Sequence, residues 1–474
     1  VIVDDTGAVL NSAVREHEVV RPAPGHVEMD AQVWWDEFAS ISRELMATFE
    51  HEVSAVGVSG MGPCVLVADA DCTPLRPAIL YGIDTRATAQ ITRLNSELGE
   101  RDVLDRCGSA LSTQAVGPKL AWLADNEPDV FSQTRRLFMA SSWLVWNLTG
   151  EYVLDQHSAS QSTPLYDSDA LAWYEPWASH IAPQLALPEL RWPGEIAGTI
   201  TDSAATETGL RAGTPVITGT IDAWTEAVSV GAQGVGDLML MYGTTMFLVN
   251  TVDHRVTVPE LWGTVGAFEG TRNIAGGMAT SGAITAWMRD LFGTHDYASL
   301  TSLAAESPPG ANGLLMLPYF AGERTPLADP DARGVIIGLT VTHGVGDLYR
   351  SALEATAFGV RHNIEAMEAA GGEITRVVAV GGGTQGGLWA QIVADVTGRE
   401  QLVHEVTIGA SYGAAFLAAS AVSNPLIAEW NSLKTTVKPR DELTAFYDGV
   451  YTQYRALYPA TRDIAHTLAA QQRG

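Results

Sequence analysis

The chain has 474 residues, with 28 basic against 55 acidic side chains and a formal net charge of −27. That balance excludes nucleic acid and anionic membranes as partners, because nothing would offset repulsion from phosphate. Hydrophobic residues make up 46% and charged residues 18%, which excludes general disorder. At about 150 residues per domain the length allows two to four domains. Three scattered cysteines, Cys64, Cys72 and Cys107, lack an accompanying His–Cys cluster and point to a reduced, cytoplasmic protein with neither disulfide frame nor zinc site. No apolar run reaches the roughly 18 residues of a membrane span, and no secretion signal is visible.

In chain order, residues 1–20 read as a hairpin, with Val1–Val3 and Ala8–Leu10 flanking the turn residues Asp4-Asp5-Thr6-Gly7. Ala31–Glu50 has helical periodicity. The apolar run Val53–Ser59 leads through a Gly-Met-Gly-Pro turn to a strand at Cys64–Ala68. Asp84–Leu98 reads as a helix capped by Asp84, and Lys119–Asp125 and Ser141–Leu148 as two more. Residues 150–200, rich in Trp, Pro and Ser, read as irregular. A second series begins with a strand at Pro215–Thr218 and a helix at Asp222–Val230. Gly231–Gly236 is the best boundary candidate. Strands at Leu238–Tyr242 and Met246–Asn250 follow, then helices at Thr280–Leu291, Asp347–Ala370, Gly387–Val396 and Gly409–Ser420. Arg376–Val380 is a strand, and the tail from Asp441 is amphipathic helix. The halves echo each other, predicting two α/β domains, 1–231 and 232–474, with a cleft between them.

Four segments could carry chemistry. Gly381-Gly382-Gly383-Thr384-Gln385-Gly386 follows a strand and precedes a helix, with Glu405 about 20 residues on, as a dinucleotide fingerprint asks. The same unit could hold a mononucleotide, or be a plain tight connection. Tyr242-Gly243-Thr244-Thr245-Met246 suits close approach of a phosphate, and equally suits a hairpin turn. Asp222 stands at a helix start, either as a cap or as a general base for phosphoryl transfer, which needs one carboxylate to accept a hydroxyl proton. Ala321-Gly322-Glu323-Arg324-Thr325-Pro326 is charged and turn-like, and its residues alone do not decide between a site and a loop ion pair.

Taken jointly, these residues resemble the FGGY family of carbohydrate kinases, in its xylulokinase-like branch. The C-terminal signature is unbroken: Gly334-Val335-Ile336-Ile337-Gly338-Leu339, then Asp347-Leu348 and Ser351-Ala352-Leu353-Glu354. The first signature is matched at Lys119-Leu120-Ala121-Trp122-Leu123 and Asp125-Asn126-Glu127-Pro128, departing at Val116. Leu317-Pro318-Tyr319-Phe320, the run Gly322–Pro326 and Arg76–Leu80 also look like that branch. The resemblance implies two actin-like (ribonuclease H-like) domains, ATP and Mg²⁺ as cofactors, and a ketopentose such as xylulose as substrate. It makes Asp222 the catalytic base. It assigns ATP contacts to Gly243, Thr244, Thr245, Gly282, Gly382, Gly383 and Gly386, and places the sugar at Asp84, Arg86, Met61 and Gly62. It names no metal ligand, and homodimers are common in such families.

The departures bear on the sugar. Gly62-Pro63 stands where xylulokinases carry Met-His, and Ala223 where they carry Asn after the catalytic Asp, so another ketose, a polyol or an aldonate also fits. The family opens with a strand and phosphate loop that belong before Val1, which leads to the expectation of a chain lacking both and turning over ATP poorly. Two rivals stand beside the kinase: a dinucleotide-dependent oxidoreductase, resting on residues 381–386 and Glu405, and a non-catalytic actin-like sensor of sugar or nucleotide.

Overall fold

Short apolar runs broken by Gly, Pro and Asp cannot extend into long strands, and in the first half of the chain they form strands of two to four residues. The structure, a computed structural model, describes residues 1–293, 296–384 and 386–473, so Gln385 of the glycine run lies outside the described residues. Two units result. One comprises residues 1–233, 253–273 and 408–432, and the other 234–252, 274–407 and the chain from Leu433 onward.

In the first unit, helix Ala31–Met46 begins where the Asp30 carboxylate accepts the Gln32 N–H at 2.9 Å. Its apolar stripe buries Trp34, Trp35, Ala39 and Leu45. Trp34, Trp35 and Ala39 join Leu66, Phe138, Trp143 and Val216 in one core. Phe138 and Trp143 meet edge to face with centroids 5.3 Å apart. The strands pair across long sequence distances. Leu66–Ala68 runs antiparallel to Arg136–Phe138, Val153–Asp155 parallel to Glu189–Arg191, and Ser59–Gly60 parallel to Thr220–Ile221.

Two expectations change here. Residues 150–200 are not irregular: they hold strands Val153–Asp155 and Glu189–Arg191 and helices Gln156–Ser160 and Glu175–Ile181. Elements this short leave no readable period. Asp84 does not cap a helix. The helix runs Thr88–Leu98 after Ala87, with no side-chain cap, and the Asp84 carboxylate turns instead to the Val27 N–H at 2.6 Å and to Arg86.

The second unit is built on a mixed sheet. Within it the strands lie in the order Arg272–Met278, Met246–Val252, Asp237–Tyr242, Arg376–Val380, Gln401–His404 and Leu433–Val437. Asp237–Tyr242 is antiparallel to Met246–Val252 and parallel to Arg376–Val380, which is parallel to Gln401–His404; that strand is antiparallel to Leu433–Val437. Arg376 sets its guanidinium against both Asp237 oxygens at 2.7 Å, tying the central parallel pair at one end. Helices Val345–Ala369, Leu388–Thr397 and Asp441–Arg473 belong to this unit. No described helix is long and apolar enough to cross a membrane.

Candidate active site

The first unit presents Asp222 at the first residue of helix Asp222–Ser229, directly after the short strand Thr220–Ile221. Parallel pairing places Thr220 opposite Ser59 and Ile221 opposite Gly60. Side chains lock the junction. The Ser59 and Thr225 hydroxyls meet at 2.7 Å, and Thr225 Oγ1 donates to the Asp222 carbonyl at 2.9 Å. Thr220 Oγ1 donates to Asp155 Oδ1 at 2.7 Å, and the same oxygen accepts the Ser158 N–H at 2.9 Å. Asp222 Oδ1 takes the N–H of Ala223 at 2.8 Å. Solvent reaches the Asp222 side chain, yet enough protein surrounds it that desolvation pushes its pKa up to about 6. A carboxylate with such a pKa is ionised at neutral pH and still basic enough to take a proton. One turn further along the helix, Glu226 is also raised to about 6, chiefly by burial and also by the charge of Asp222.

Met61 and Gly62 directly follow the Ser59–Gly60 strand, so the pairing brings them beside Ile221. A Cβ on Gly62 would lie 2.7 Å from Ile221 Cγ1. A side chain at position 62, where xylulokinases carry a longer one, would require Ile221 to shift.

Asp84 and Arg86 are placed differently. Neither side chain has any exposed surface. Arg86 Nε lies 3.0 Å from both Asp84 oxygens and Nη2 lies 2.8 Å from Oδ2, while Nη1 is 2.7 Å from Glu28. Arg76 joins Glu28 and, at 3.0 Å, Glu127. Buried ions persist when paired like this. As placed, Asp84 and Arg86 pair with one another and Arg86 with Glu28, which holds their segment together. Lys119 lies within electrostatic reach of Asp84, Arg86 and Cys64, 1% exposed, with its ammonium lacking a hydrogen-bond partner among the described residues. Burial lowers its pKa to about 8.

In the second unit, two glycine segments converge on residues 242–244. The Ser281 and Ala283 N–H groups donate to Thr244 O at 3.1 and 3.0 Å, and Gly282 N–H to Gly243 O at 3.0 Å. A Cβ at Gly282 would stand 2.6 Å from Gly243 O, so only glycine permits this approach. Gly381 has φ +92°, and a Cβ there would lie 2.5 Å from Tyr242 O. Gly383 packs against Tyr242 and Trp389, and Gly382 faces open space. Among the described residues the Thr244 and Thr245 hydroxyls have no hydrogen-bond partner, and Thr244 is exposed. Free hydroxyls beside backbone that no side chain covers fit a polyphosphate. A Cβ on Gly386 would meet only Thr301, at 4.0 Å, and none of the residues 242–244. Among the described residues no group of three or more His, Cys, Asp or Glu could hold a metal ion.

Ser59, Thr220, Thr225 and Asp155 escape sequence reasoning, because they lie up to 166 residues from their partners. Glu226 had a weak signal in its spacing from Asp222, four residues along one helix face.

The comparisons agree with this arrangement. The N-terminal-domain profile of the FGGY family of carbohydrate kinases matches residues 1–229, and the C-terminal-domain profile residues 238–422. The expected loss of an opening strand and loop is not confirmed by these matches. A xylulose kinase from Staphylococcus epidermidis is 26% identical over 99% of this chain and 95% of its own. A glycerol kinase from Nocardia farcinica is 33% identical over 87% and 86%. The crystal structure of xylulose kinase from Rhodospirillum rubrum superposes with a TM-score of 0.89 at 30% identity, covering 97% of this chain and 96% of that one. These matches and the mixed sheet overturn the oxidoreductase reading of residues 381–386, since a dinucleotide fold needs a mostly parallel, doubly wound sheet. They likewise set aside the non-catalytic sensor. The chain belongs to the FGGY family of carbohydrate kinases, α/β phosphotransferases of actin-like, ribonuclease H-like fold that use ATP.

Proposed function

We propose that this kinase phosphorylates a hydroxyl of a small ketose, a ketopentose such as xylulose, with Asp222 as general base. The observation that carries the reading is the Asp222 carboxylate, solvent-reachable, raised to about 6 and carried on a helix start whose backbone Thr225 and Thr220 hold in place. The substrate hydroxyl would be held at Asp222, beside the backbone of Met61 and Gly62. Asp84 and Arg86 would shape that segment from beneath through their buried pair. Gly243, Thr244, Thr245, Gly282, Gly382 and Gly383 would hold the phosphates, with Gly386 nearer the remainder of the nucleotide. A magnesium ion takes most of its ligands from phosphate and water and one or two from carboxylate, so a lone carboxylate suits it; bound, it would offset phosphate charge. The three cysteines are free and buried, in keeping with the cytoplasm.

The test is ADP release from Mg-ATP with a panel of ketopentoses, polyols and aldonates, for wild type and Asp222→Asn. Loss of general-base help lowers kcat by about 10²–10⁴-fold; a variant within tenfold of wild type removes Asp222 from the role. A polyol is the second reading, favoured by the 33% identity to a glycerol kinase and by the absence of a side chain at position 62. Turnover of glycerol and not of xylulose would decide for it.

A further inference from the structure

The charged segment Gly322–Pro326 lies outside the glycine cluster, yet its side chains grip the strand end that leads into it. Glu323 is 6% exposed. Its Oε1 accepts the Ala279 N–H at 2.9 Å and the Arg324 N–H at 2.8 Å. Thr325 takes the next hold: its Oγ1 accepts the Gly277 N–H at 2.6 Å, and its own N–H donates to Gly277 O at 3.2 Å. Thr325 is held in turn by Asn363 of the long helix, through its hydroxyl at 2.6 Å and its carbonyl at 3.1 Å. A Cβ on Gly276 would lie 2.8 Å from both Thr325 Oγ1 and Asn363 Oδ1, so the fit has no slack. The segment is braced from its other side, where Glu323 and Asp329 exchange backbone hydrogen bonds at 2.8 and 3.0 Å. Between Ala279 and Gly282 there are only two residues, and the Thr280 hydroxyl donates to the Pro318 carbonyl. The turn at Ser281–Gly282 then bonds to Gly243 and Thr244.

We infer that Glu323, together with Thr325, is a positioning residue that fixes the Ser281–Gly282 turn against the Gly243–Thr244 hairpin and thereby sets the affinity for nucleotide. The inference rests on the nucleotide role proposed for that turn. A loop ion pair, the plain reading of this segment, does not describe Glu323, whose carboxyl is spent on backbone N–H groups. Burial pushes the Glu323 pKa up to about 8, against the opposing effects of those N–H groups and the Arg324 charge, so the group is largely a neutral acid at pH 7. Glutamine then reproduces its shape, its charge and its accepting oxygen, whereas alanine leaves two N–H groups unpaired.

The experiment is calorimetric titration of the full chain with Mg-ADP, alongside KM for ATP and for the sugar. Glu323→Ala is expected to weaken Mg-ADP and raise KM for ATP about tenfold or more, with the sugar KM within twofold, and Glu323→Gln to restore both to within threefold of wild type. A Glu323→Ala dissociation constant within twofold of wild type overturns the inference. So does an equal rise in the sugar KM, or a glutamine variant as impaired as alanine. Should Glu323→Ala not fold, Thr325→Val decides: threefold or greater weakening of Mg-ADP supports positioning, and a lesser change overturns it. Wild type failing to bind Mg-ADP would remove the nucleotide role itself, and the inference with it, which separates the two failures.

Discussion

The pH dependence of turnover tests the Asp222 reading directly. A base must be ionised to act, and the structure raises the Asp222 pKa from 3.8 to about 6 by desolvation. Such a group is about nine-tenths ionised at pH 7 and about one-tenth at pH 5, so kcat/KM for the sugar should fall about tenfold between them. An ordinary aspartate would change by less than about 10% over that interval. The assay is coupled ADP release at limiting sugar and saturating Mg-ATP, from pH 5 to 8. Mg-ATP could itself contribute an acid limb, and repeating the profile at several saturating Mg-ATP concentrations separates the two sources. A limb that belongs to Asp222 stays in place as Mg-ATP varies. A flat profile between pH 5 and 7, or a limb that moves with the Mg-ATP concentration, would refute the reasoning.

Other outcomes follow from the same geometry. Gly282→Ala puts a carbon 2.6 Å from Gly243 O and should raise KM for ATP more than about tenfold with little change in the sugar KM; unchanged ATP kinetics would show that the turn does not meet the nucleotide. Thr220→Val removes the hydroxyl bond to Asp155 and should lower kcat about tenfold while KM for ATP holds, as steady-state kinetics would report. His157 is buried and neutral, its pKa lowered to about 3 by desolvation. The unfolded chain binds that proton below about 6.5 and the folded chain does not, so stability is lost as pH falls through that window. Between pH 6.5 and 4.5, His157→Gln should lose about 2–3 kcal/mol less than wild type in urea unfolding, and parallel losses would contradict the assignment.

Much of the second unit could be read directly. The strand Arg376–Val380 lies where its run of β-branched residues put it, and the helices at 345–369, 388–397 and 410–422 lie within two residues of their expected bounds. Long apolar periods and glycine punctuation are local properties, and they survive folding. The first unit was less legible because its strands are two to four residues long and pair with partners far along the chain. Asp84 illustrates the limit: its position before a helix suggested a cap, and tertiary packing gave it Arg86 and the Val27 N–H instead.

The sequence by itself determined the family, the helix that begins at Asp222, and the glycines at 243, 282 and 381–383, because each rests on residue types within a short window. Only the tertiary structure decided that Gly282 needs its missing side chain to meet Gly243, that Asp84 and Arg86 pair with each other, and that Glu323 serves the strand end beside the Ser281–Gly282 turn. Those outcomes depend on which distant backbone atoms arrive within 3 Å, and on burial that shifts a carboxyl pKa, and neither quantity is written in local sequence.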